Sequence, residues 1–474
     1  MNRVLKVALL CGLAVTVASC GTVRSILPFG LGGSDAPQAT ATEGQRISVL
    51  EFEQQLAPSA ALSGRDFFLP GPQPATAWTQ PGGNPENAVE HVAAAPDFAI
   101  AWRRDIGAAS SNTRQVMAPV VADNGRVFVM DGEATVTAVD SSSGSVAWKV
   151  SVKPDEKEFR RSMFDLNPFG GSSTGGGFGG GVAVGGGKVF ISSGYRTVTA
   201  VDQATGAVLW TTPVDVPIHG APTVAGSRVY VVDVENQIFA FDVNNGQQVW
   251  AYRGIPEPAR IMRASSPAVT GETVIVPFSS GELVALRAST GQPVWQQVLS
   301  RTSRTSALSE IRDIAGRPAV YRGDVYAASH SGVFAAVDLR TGRRRWDLPV
   351  SGVNSPWPAG DVVYVLSQQG ELIAVNRDSG QAYWVRDLNA GRDRKKGGVM
   401  GFGGRVVRPV WTGPLLASNR LVLVNNQGEA VALDAKTGEV QKTVQLGGPS
   451  YIAPIAYDGM IYVVTDEGDL VAIR

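Results

Sequence analysis

Few residues of this chain have the types and spacing that catalysis or metal binding requires. Its three histidines, His91, His219 and His330, stand far apart in the sequence, and none has a cysteine or carboxylate at the spacing of a metal site. The scattered serines lack a placeable histidine and acid, so no nucleophilic triad is predicted. The sequence therefore predicts a protein that is not an enzyme, with no catalytic residues, no metal and no cofactor.

Aspartates recur at one position, directly after a short apolar run and just before a turn. They are Asp140, Asp202, Asp242, Asp338 and Asp434. Aspartate side chains accept hydrogen bonds from the backbone of turns. We therefore expect these carboxylates to cap turns rather than to react.

The elements that carry these aspartates belong to a repeat that begins near Val120. Each copy has an apolar strand, a turn, a second strand resembling Val-x-Ala-Val-Asp, a glycine, and a tryptophan four residues later. Six copies share that closure: Gly144 with Trp148, Gly206 with Trp210, Gly246 with Trp250, Gly291 with Trp295, Gly342 with Trp346 and Gly380 with Trp384. Repeats of about 40 residues are typical of four-stranded propeller blades. We expect each tryptophan to pack against an adjacent blade.

The last two copies depart from the pattern. The seventh has Lys442 in place of tryptophan, and the eighth, Met460 to Arg474, ends before its outer strand. The run Phe98 to Trp102 resembles that missing strand. The sequence thus predicts an all-β fold, an eight-bladed β-propeller of four-stranded antiparallel blades whose last blade is closed by the N-terminal strand. A seven-bladed ring is the alternative, because Lys442 interrupts the pattern.

Two connections are longer than the repeat requires. One includes the glycine-rich stretch 170–187, and the other, 386–408, contains the basic run Arg392 to Lys396. Both are predicted to be surface loops. The basic run is either a solvated loop or a contact for acidic headgroups or a partner.

The first residues are typical of a secretory signal peptide, with Arg3 and Lys6 before an apolar run and small residues at its end. Val17 to Cys20 resembles the bacterial lipobox, so residues 1–19 are predicted to be removed and Cys20 to be lipidated. The other cysteine, Cys11, lies in the removed segment. The mature chain is therefore predicted to have no disulfide.

The next residues, 20–95, are rich in Gly, Pro, Ala, Ser and Thr, and we interpret them as the lipidated N-terminus and a flexible tether. Within them, 46–52 is either a docking segment or an accidental apolar cluster. The propeller is assigned to residues 96–474. Lysine plus arginine equals aspartate plus glutamate at 42 each, so no net charge favours nucleic acid as a partner.

The repeat, with its Asp-x-x-Thr/Ser-Gly-x-x-x-Trp core, resembles that of the pyrroloquinoline-quinone dehydrogenases. That resemblance implies an eight-bladed ring and gives the main alternative function, a membrane-tethered quinoprotein dehydrogenase. Those enzymes have adjacent cysteines beside the quinone, whereas no cysteine follows Cys20 here. A carbohydrate-binding propeller is a third hypothesis, for which only Trp357 and Trp411 lie outside the repeat pattern.

Residues 96–474 and the lipobox resemble the BamB family of lipoproteins of the outer-membrane β-barrel assembly machinery. The run Ile261-Met262-Arg263-Ala264-Ser265-Ser266-Pro267 is similar to one family loop, and Arg312-Asp313-Ile314-Ala315 is similar to a second, acidic loop. The resemblance implies that Ile261, Met262, Arg263 and Asp313 contact the periplasmic domain of the barrel protein BamA. An Arg263 to Asp313 ion pair across neighbouring blades is an alternative role.

The same resemblance implies a non-enzymatic scaffold that assists the folding and insertion of outer-membrane proteins. Its expected partners are BamA, the other barrel-assembly lipoproteins and unfolded outer-membrane proteins. Gly21, where aspartate would favour retention in the inner membrane, implies an outer-membrane location. The lipid on Cys20 would hold the protein there, facing the periplasm.

Overall fold

Short runs of alternating valine, isoleucine, leucine and alanine form antiparallel strands throughout the protein. A computed structural model describes residues 56–154, 179–257, 261, 265–300, 311–392, 394–396 and 405–474. The chain divides into two units, Met1–Glu53 and Gln54–Arg474. Only the second unit lies within the described residues.

The described residues contain eight sheets with four antiparallel strands each, which confirms the predicted all-β class and the number of sheets. We call them blades 1 to 8 in chain order and their strands A to D from the first to the last of each sheet. Blade 1 is Val121–Asp123, Arg126–Met130, Thr135–Asp140 and Val146–Ser151; blade 2 is Gly180–Gly185, Lys188–Ser193, Thr197–Asp202 and Val208–Pro213; blade 3 is Thr223–Ala225, Arg228–Val232, Gln237–Asp242 and Gln248–Arg253; blade 4 is Ala268–Thr270, Thr273–Pro277, Glu282–Arg287 and Pro293–Val298.

The second half of the chain repeats this plan. Blade 5 is Ala319–Tyr321, Asp324–Ala328, Phe334–Asp338 and Arg344–Leu348; blade 6 is Trp357–Ala359, Val362–Leu366, Glu371–Asn376 and Ala382–Asp387; blade 7 is Trp411–Ala417, Arg420–Asn425, Glu429–Asp434 and Val440–Gln445. Blade 8 has Ile455–Tyr457, Met460–Val464 and Asp469–Ile473 as strands A to C, and Ile100–Asp105 pairs antiparallel with the last of these as strand D.

Four short strands complete the described elements. Gln73–Pro74 and Val92–Ala93 run parallel to each other and extend blade 7 beside its strand A. Arg394–Lys396 pairs with Arg405–Val407 within the long connection before blade 7.

The strands of a blade differ in burial. Strands B and C are almost wholly buried between neighbouring sheets, whereas strand D exposes alternate residues. Strands A surround a central cavity, which is lined by residues of these strands and of the connections that lead into all eight of them. Because strand A runs antiparallel to strand B, its two ends define two faces. We call them the A–B face, with the A–B turns, and the D–A face, where the connection from the preceding blade arrives.

Each closure glycine lies against the tryptophan of the preceding blade. A Cβ added to any of these glycines would come within 2.5 to 3.0 Å of the indole ring, so no larger residue fits there without a shift. The pairs are Gly144 with Trp102, Gly206 with Trp148, Gly246 with Trp210, Gly291 with Trp250, Gly342 with Trp295, Gly380 with Trp346 and Gly438 with Trp384.

Five of these indoles also donate a hydrogen bond to a backbone carbonyl of the next blade. The acceptors are Gln203, Val243, Ala288, Leu339 and Arg377, at 2.7 to 3.2 Å. For Trp102 and Trp384 the equivalent carbonyls, of Ser141 and Ala435, instead accept from Tyr462 and Tyr364. The tryptophans thus join neighbouring blades, as the repeat predicts.

Lys442 departs from the pattern because the blade that follows it has no C–D turn. Strands C and D of blade 8 come from opposite ends of the propeller chain, so no glycine exists there for a tryptophan to pack on. Lys442 Nζ instead donates to the carbonyl of Asp97, 2.7 Å away, just before strand D of blade 8. The lysine therefore marks a join between chain ends rather than a missing blade.

The recurring aspartates cap turns, as expected. Asp140 Oδ1 accepts hydrogen bonds from the backbone N–H groups of Ser142 and Ser143 and from both hydroxyls. These donors lower the pKa of Asp140 to about 2. Asn376 occupies the same place in blade 6 and accepts equivalent bonds from Asp378 and Ser379, so a neutral acceptor caps the turn as well.

Residues 56–95 fall in the segment that the sequence assigns to a tether, yet they pack on the propeller. Phe67 lies against Tyr383 of blade 6, with ring centroids 4.6 Å apart. Trp78 stacks on Trp357 of blade 6, and the Trp357 indole donates to the Glu90 carbonyl at 2.6 Å. Trp357, which the repeat pattern leaves unexplained, is thus part of the contact with the N-terminal segment.

Candidate functional site

The residues singled out for partner binding belong to two D–A connections. Ile261 lies between blades 3 and 4, and Asp313 lies between blades 4 and 5. Both therefore belong to the D–A face. Cys20, Met262 and Arg263 lie outside the described residues.

The structure brings Ile261 and Asp313 together. The backbone N–H of Ile261 donates to Asp313 Oδ2 at 3.1 Å. The Asp313 residue is only 5% exposed, and its own carbonyl accepts from the His330 N–H at 2.8 Å. A buried carboxylate that accepts a backbone N–H fixes the chain at that point. The geometry therefore gives Asp313 a role in holding the Ile261 connection, a role that the sequence did not suggest.

A small cavity of about 30 Å³ separates these residues from blade 3. Its lining includes His219, Asp233, Asn236, Ser265 and Asp313. Burial raises the pKa of Asp233, although its Oδ1 accepts two backbone N–H groups. Burial likewise lowers the pKa of His330 beside this site. Both shifts favour the neutral forms of these two side chains.

A larger cavity of about 550 Å³ opens next to Ile261. It is lined mainly by apolar side chains, including Val353, Val410, Trp411 and Tyr451. Val410 is 53% exposed and Tyr451 is 42% exposed, and both line this cavity. An apolar rim around a cavity is a typical protein-interaction surface.

Trp411, the second tryptophan outside the repeat pattern, is fixed at this rim. Its indole N–H donates to Asn389 Oδ1 at 2.9 Å, and the Arg392 guanidinium lies 5.2 Å from the ring centroid. Sequence reasoning missed Val410 and Tyr451. Each lies in a separate D–A connection that has no periodic pattern. The two residues form one surface only because the fold brings these connections together.

No three histidine, cysteine, aspartate or glutamate side chains among the described residues are close enough to hold a metal ion. In the same part of the chain, no helix is long and apolar enough to cross a membrane. The D–A face presents a mostly apolar cavity, and beside it the Ile261 backbone is bound by the Asp313 carboxylate.

The sequence matches a family of known proteins. The family described as outer membrane protein assembly factor BamB matches residues 88–164, 156–386 and 391–474. A relative named outer membrane protein assembly factor BamB, from Shigella dysenteriae, is 25% identical over 376 residues, which is 79% of this chain and 88% of the relative.

Two solved structures show the same fold. BamB from Moraxella catarrhalis superposes with a TM-score of 0.59 at 19% identity, covering 78% of this chain and 99% of that one. A quinohemoprotein alcohol dehydrogenase from Comamonas testosteroni gives a TM-score of 0.62 at 16% identity, covering 84% and 80%. At such identities the likeness concerns the fold alone, whereas the family match covers most of the sequence. The chain belongs to the BamB family of outer-membrane protein assembly factors.

Proposed function

We propose that this protein is a non-enzymatic scaffold of outer-membrane protein assembly, which binds a partner through its D–A face. The observation that carries the proposal is the family match across the propeller, from residue 88 to residue 474 except 387–390. The relatives that share this sequence pattern carry the name of assembly factors. The partner proposed here is the periplasmic domain of BamA, within a complex that includes the other barrel-assembly lipoproteins and receives unfolded outer-membrane proteins.

The geometry of the D–A face supports a binding role. Met262 and Arg263 directly follow Ile261, whose N–H is bound by the buried Asp313 carboxylate. We therefore assign direct contact to Met262 and Arg263, and assign Asp313 to positioning. Holding one end of a binding loop reduces the conformational entropy that the loop loses when a partner binds.

The location belongs to the same proposal. Cys20 carries the lipid, residues 1–19 are the removed signal peptide, and the propeller faces the periplasm from the outer membrane. Several acyl chains would make that anchoring stable, because each buried CH₂ contributes about 0.8 kcal/mol. Residues 56–95, the part of the proposed tether that the structure describes, pack on the blades.

The test is affinity purification of the tagged full-length lipoprotein from gently solubilised outer membranes. Arg263→Glu reverses the charge at the proposed contact, and Arg343→Glu makes the same change on the exposed C–D turn of blade 5, at the opposite face. Recovery of BamA with wild type and Arg343→Glu, but not with Arg263→Glu, supports both the scaffold and the face. The proposal is contradicted if BamA is recovered with neither variant, or if it is recovered in no sample at all.

The quinoprotein alternative has less support. The fold is shared with a quinohemoprotein dehydrogenase, but the chain has no cysteine after Cys20 to supply the adjacent pair of those enzymes. Absorbance of a bound quinone in the purified protein would restore that alternative. We do not propose it.

A further inference from the structure

The inner strands of a ring of sheets present an unsatisfied edge toward the central cavity. Except in blade 7, where Val92–Ala93 also pairs with strand A, each strand A pairs within its sheet on one side only, so the N–H and C=O groups of its other edge have no partner in the sheet. Buried backbone groups without partners are unfavourable, and a second chain segment at that edge removes the cost. In this protein that segment is residues 75–95, which we call the strap.

The strap reaches blades 1 to 3 first. Trp78 and Ala122 of blade 1 exchange two backbone hydrogen bonds, of 2.7 and 2.8 Å. The Val184 N–H of blade 2 donates to the Thr79 carbonyl at 2.8 Å. At blade 3 the Gln80 amide replaces a peptide unit. It both donates to and accepts from the backbone of Val224, each at 3.0 Å.

The strap then continues past blades 4 to 6. The Val269 N–H of blade 4 donates to the Pro85 carbonyl at 2.7 Å, and the Val320 N–H of blade 5 donates to the Glu86 carbonyl at 2.9 Å. Blade 6 provides Trp357, whose indole donates to the Glu90 carbonyl. The order of contacts along the strap is therefore the order of the blades.

The strap ends at blades 7 and 8. The Ser418 N–H in the A–B turn of blade 7 donates to the Val92 carbonyl at 2.8 Å, and Ala95 N–H donates to the Gly459 carbonyl of blade 8 at 2.8 Å. Blade 8 also contacts the beginning of the strap, where Asp458 N–H donates to the Ala75 carbonyl at 2.9 Å. The strap thus makes one full circuit and returns to the blade where it began.

Two further features show that the strap is held tightly. Trp78, Gln80, His91 and Val92 are each at most 2% exposed. Asn87, Glu90 and Ala95 have positive φ angles of 55°, 60° and 48° without being glycine. Such backbone conformations persist where the surroundings determine them. Soon after Ala95 the chain becomes strand D of blade 8.

We infer that the strap and the following strand, residues 75–105, act as one clasp that closes the ring and releases from all eight blades together. Because strand D of blade 8 continues from the strap, the joint between the chain ends cannot separate widely while the strap remains in place. The clasp therefore couples blades that do not contact one another.

The clasp also closes one end of the central cavity. Trp78, Pro81, Gly82 and Asn87 of the strap line that cavity together with residues of strands A and of the D–A connections. Met117, Val353, Thr412 and Ile452 line both this cavity and the wider one beside Ile261. The central space is thus open toward the D–A face, where partner binding is proposed on separate grounds.

The test is amide hydrogen exchange of the full chain, read by mass spectrometry. Gly83→Ala disturbs only the strap, because the added Cβ would lie 2.1 Å from Val89 Cγ2 at a φ of +94°. Gly64→Ala is the matched control, with a φ of +73° and nothing within 4 Å of the added Cβ. If residues 75–105 release as a unit, Gly83→Ala accelerates exchange at Ala122, Val269 and Val320 and in strand D of blade 8. The expected acceleration is at least about tenfold and similar at all four places.

Acceleration confined to peptides beside residue 83 would overturn the inference, as would equal effects of Gly64→Ala. Gln80→Ala is a milder second variant should Gly83→Ala fail to fold, because it removes only the bonds to Val224. Its effect must also extend to Val269 and Val320, which Gln80 does not contact. If exchange changes at Val224 alone, the strap is a set of independent contacts and not a clasp.

Discussion

The contact between closure glycines and tryptophans predicts a specific loss of stability for Gly291→Ala. Gly291 has a φ of +72°, and an added Cβ would lie 2.5 Å from Cε3 and 2.7 Å from Cδ2 of Trp250. The indole cannot easily move away, because its N–H donates to the Ala288 carbonyl in the same turn at 2.9 Å. The substitution therefore changes both the backbone energy and the packing between blades 3 and 4.

The two contributions can be separated. Placing alanine in a left-handed conformation costs about 1–2 kcal/mol, and forcing a methyl group into a packed contact costs about 1–3 kcal/mol. We expect Gly291→Ala to lower the free energy of unfolding by about 2–5 kcal/mol. Gly271→Ala, in the A–B turn of the same blade, has a φ of +52° and nothing within 4 Å of its added Cβ. It should lose only the first contribution.

The assay is urea unfolding of both variants and wild type, followed by tryptophan fluorescence. A further variant, Gly291→Ala with Trp250→Leu, tests the source of the clash. Removing the ring should make the glycine substitution less costly, so the two changes will not be additive. Equal losses for Gly291→Ala and Gly271→Ala would refute the packing argument and leave only the backbone cost.

Three further predictions concern single side chains. His91 must be neutral, because its Nε2 accepts the Asn419 N–H at 2.8 Å while Nδ1 bonds the Pro70 carbonyl at 2.7 Å. Burial lowers the pKa of His91 below its ordinary 6.5. On lowering the pH, the unfolded chain therefore binds the proton before the folded protein does. The free energy of unfolding should fall below about pH 6.5, by at most about 1.4 kcal/mol per pH unit. If the urea midpoint of His91→Gln depends on pH as steeply as that of wild type, this prediction is wrong. Asp313→Asn keeps the shape of the side chain but not the charge that binds the Ile261 N–H. Local opening of the Ile261 connection should become about fivefold more frequent, which corresponds to a loss of about 1 kcal/mol in local stability. Unchanged amide exchange at Ile261 would show that Asp313 does not position this connection. Lys442→Trp restores the repeat but should lower the urea midpoint of unfolding, because the bond to the Asp97 carbonyl is lost and no glycine lies there for the ring to pack on. A raised midpoint would show that a tryptophan does pack at this place.

Much of the blade architecture could be predicted from the sequence. The spacing of glycine and tryptophan exposed the repeat, because that pair is a steric contact that recurs at successive blade interfaces. The capping role of Asp140 followed from its place before a turn, and its hydrogen bonds agree. Such local, repeated interactions leave a periodic signal in the sequence.

The strap left no such signal. It is held mainly by backbone hydrogen bonds, which any residue type can make, and its composition resembles that of a linker. The two strap side chains with specific contacts, Trp78 and Gln80, have no counterparts at a regular spacing in the sequence. The strap's partner Trp357 was noticed in the sequence, but only the fold shows what it contacts.

The candidate site falls between these cases. The sequence marked Ile261 and Asp313, yet it suggested a surface role for a carboxylate that is buried. The exposed rim residues Val410 and Tyr451 belong to different connections, 41 positions apart. Only the ring geometry brings such residues to one face, so no local pattern could have identified them.

The origin of strand D in blade 8 has a consequence for how the protein reaches its folded state. Residues 100–105 leave the ribosome early, but their pairing partner, Asp469–Ile473, is synthesised far later in the chain. Pairing between strands so far apart in the sequence makes folding slow, because closing the long loop costs entropy before the contact contributes any stability. Until then the first strand and the edge of blade 8 both remain exposed and prone to misassociation. We expect completion of blade 8 to be a late step of folding and the stage at which a chaperone has most to protect.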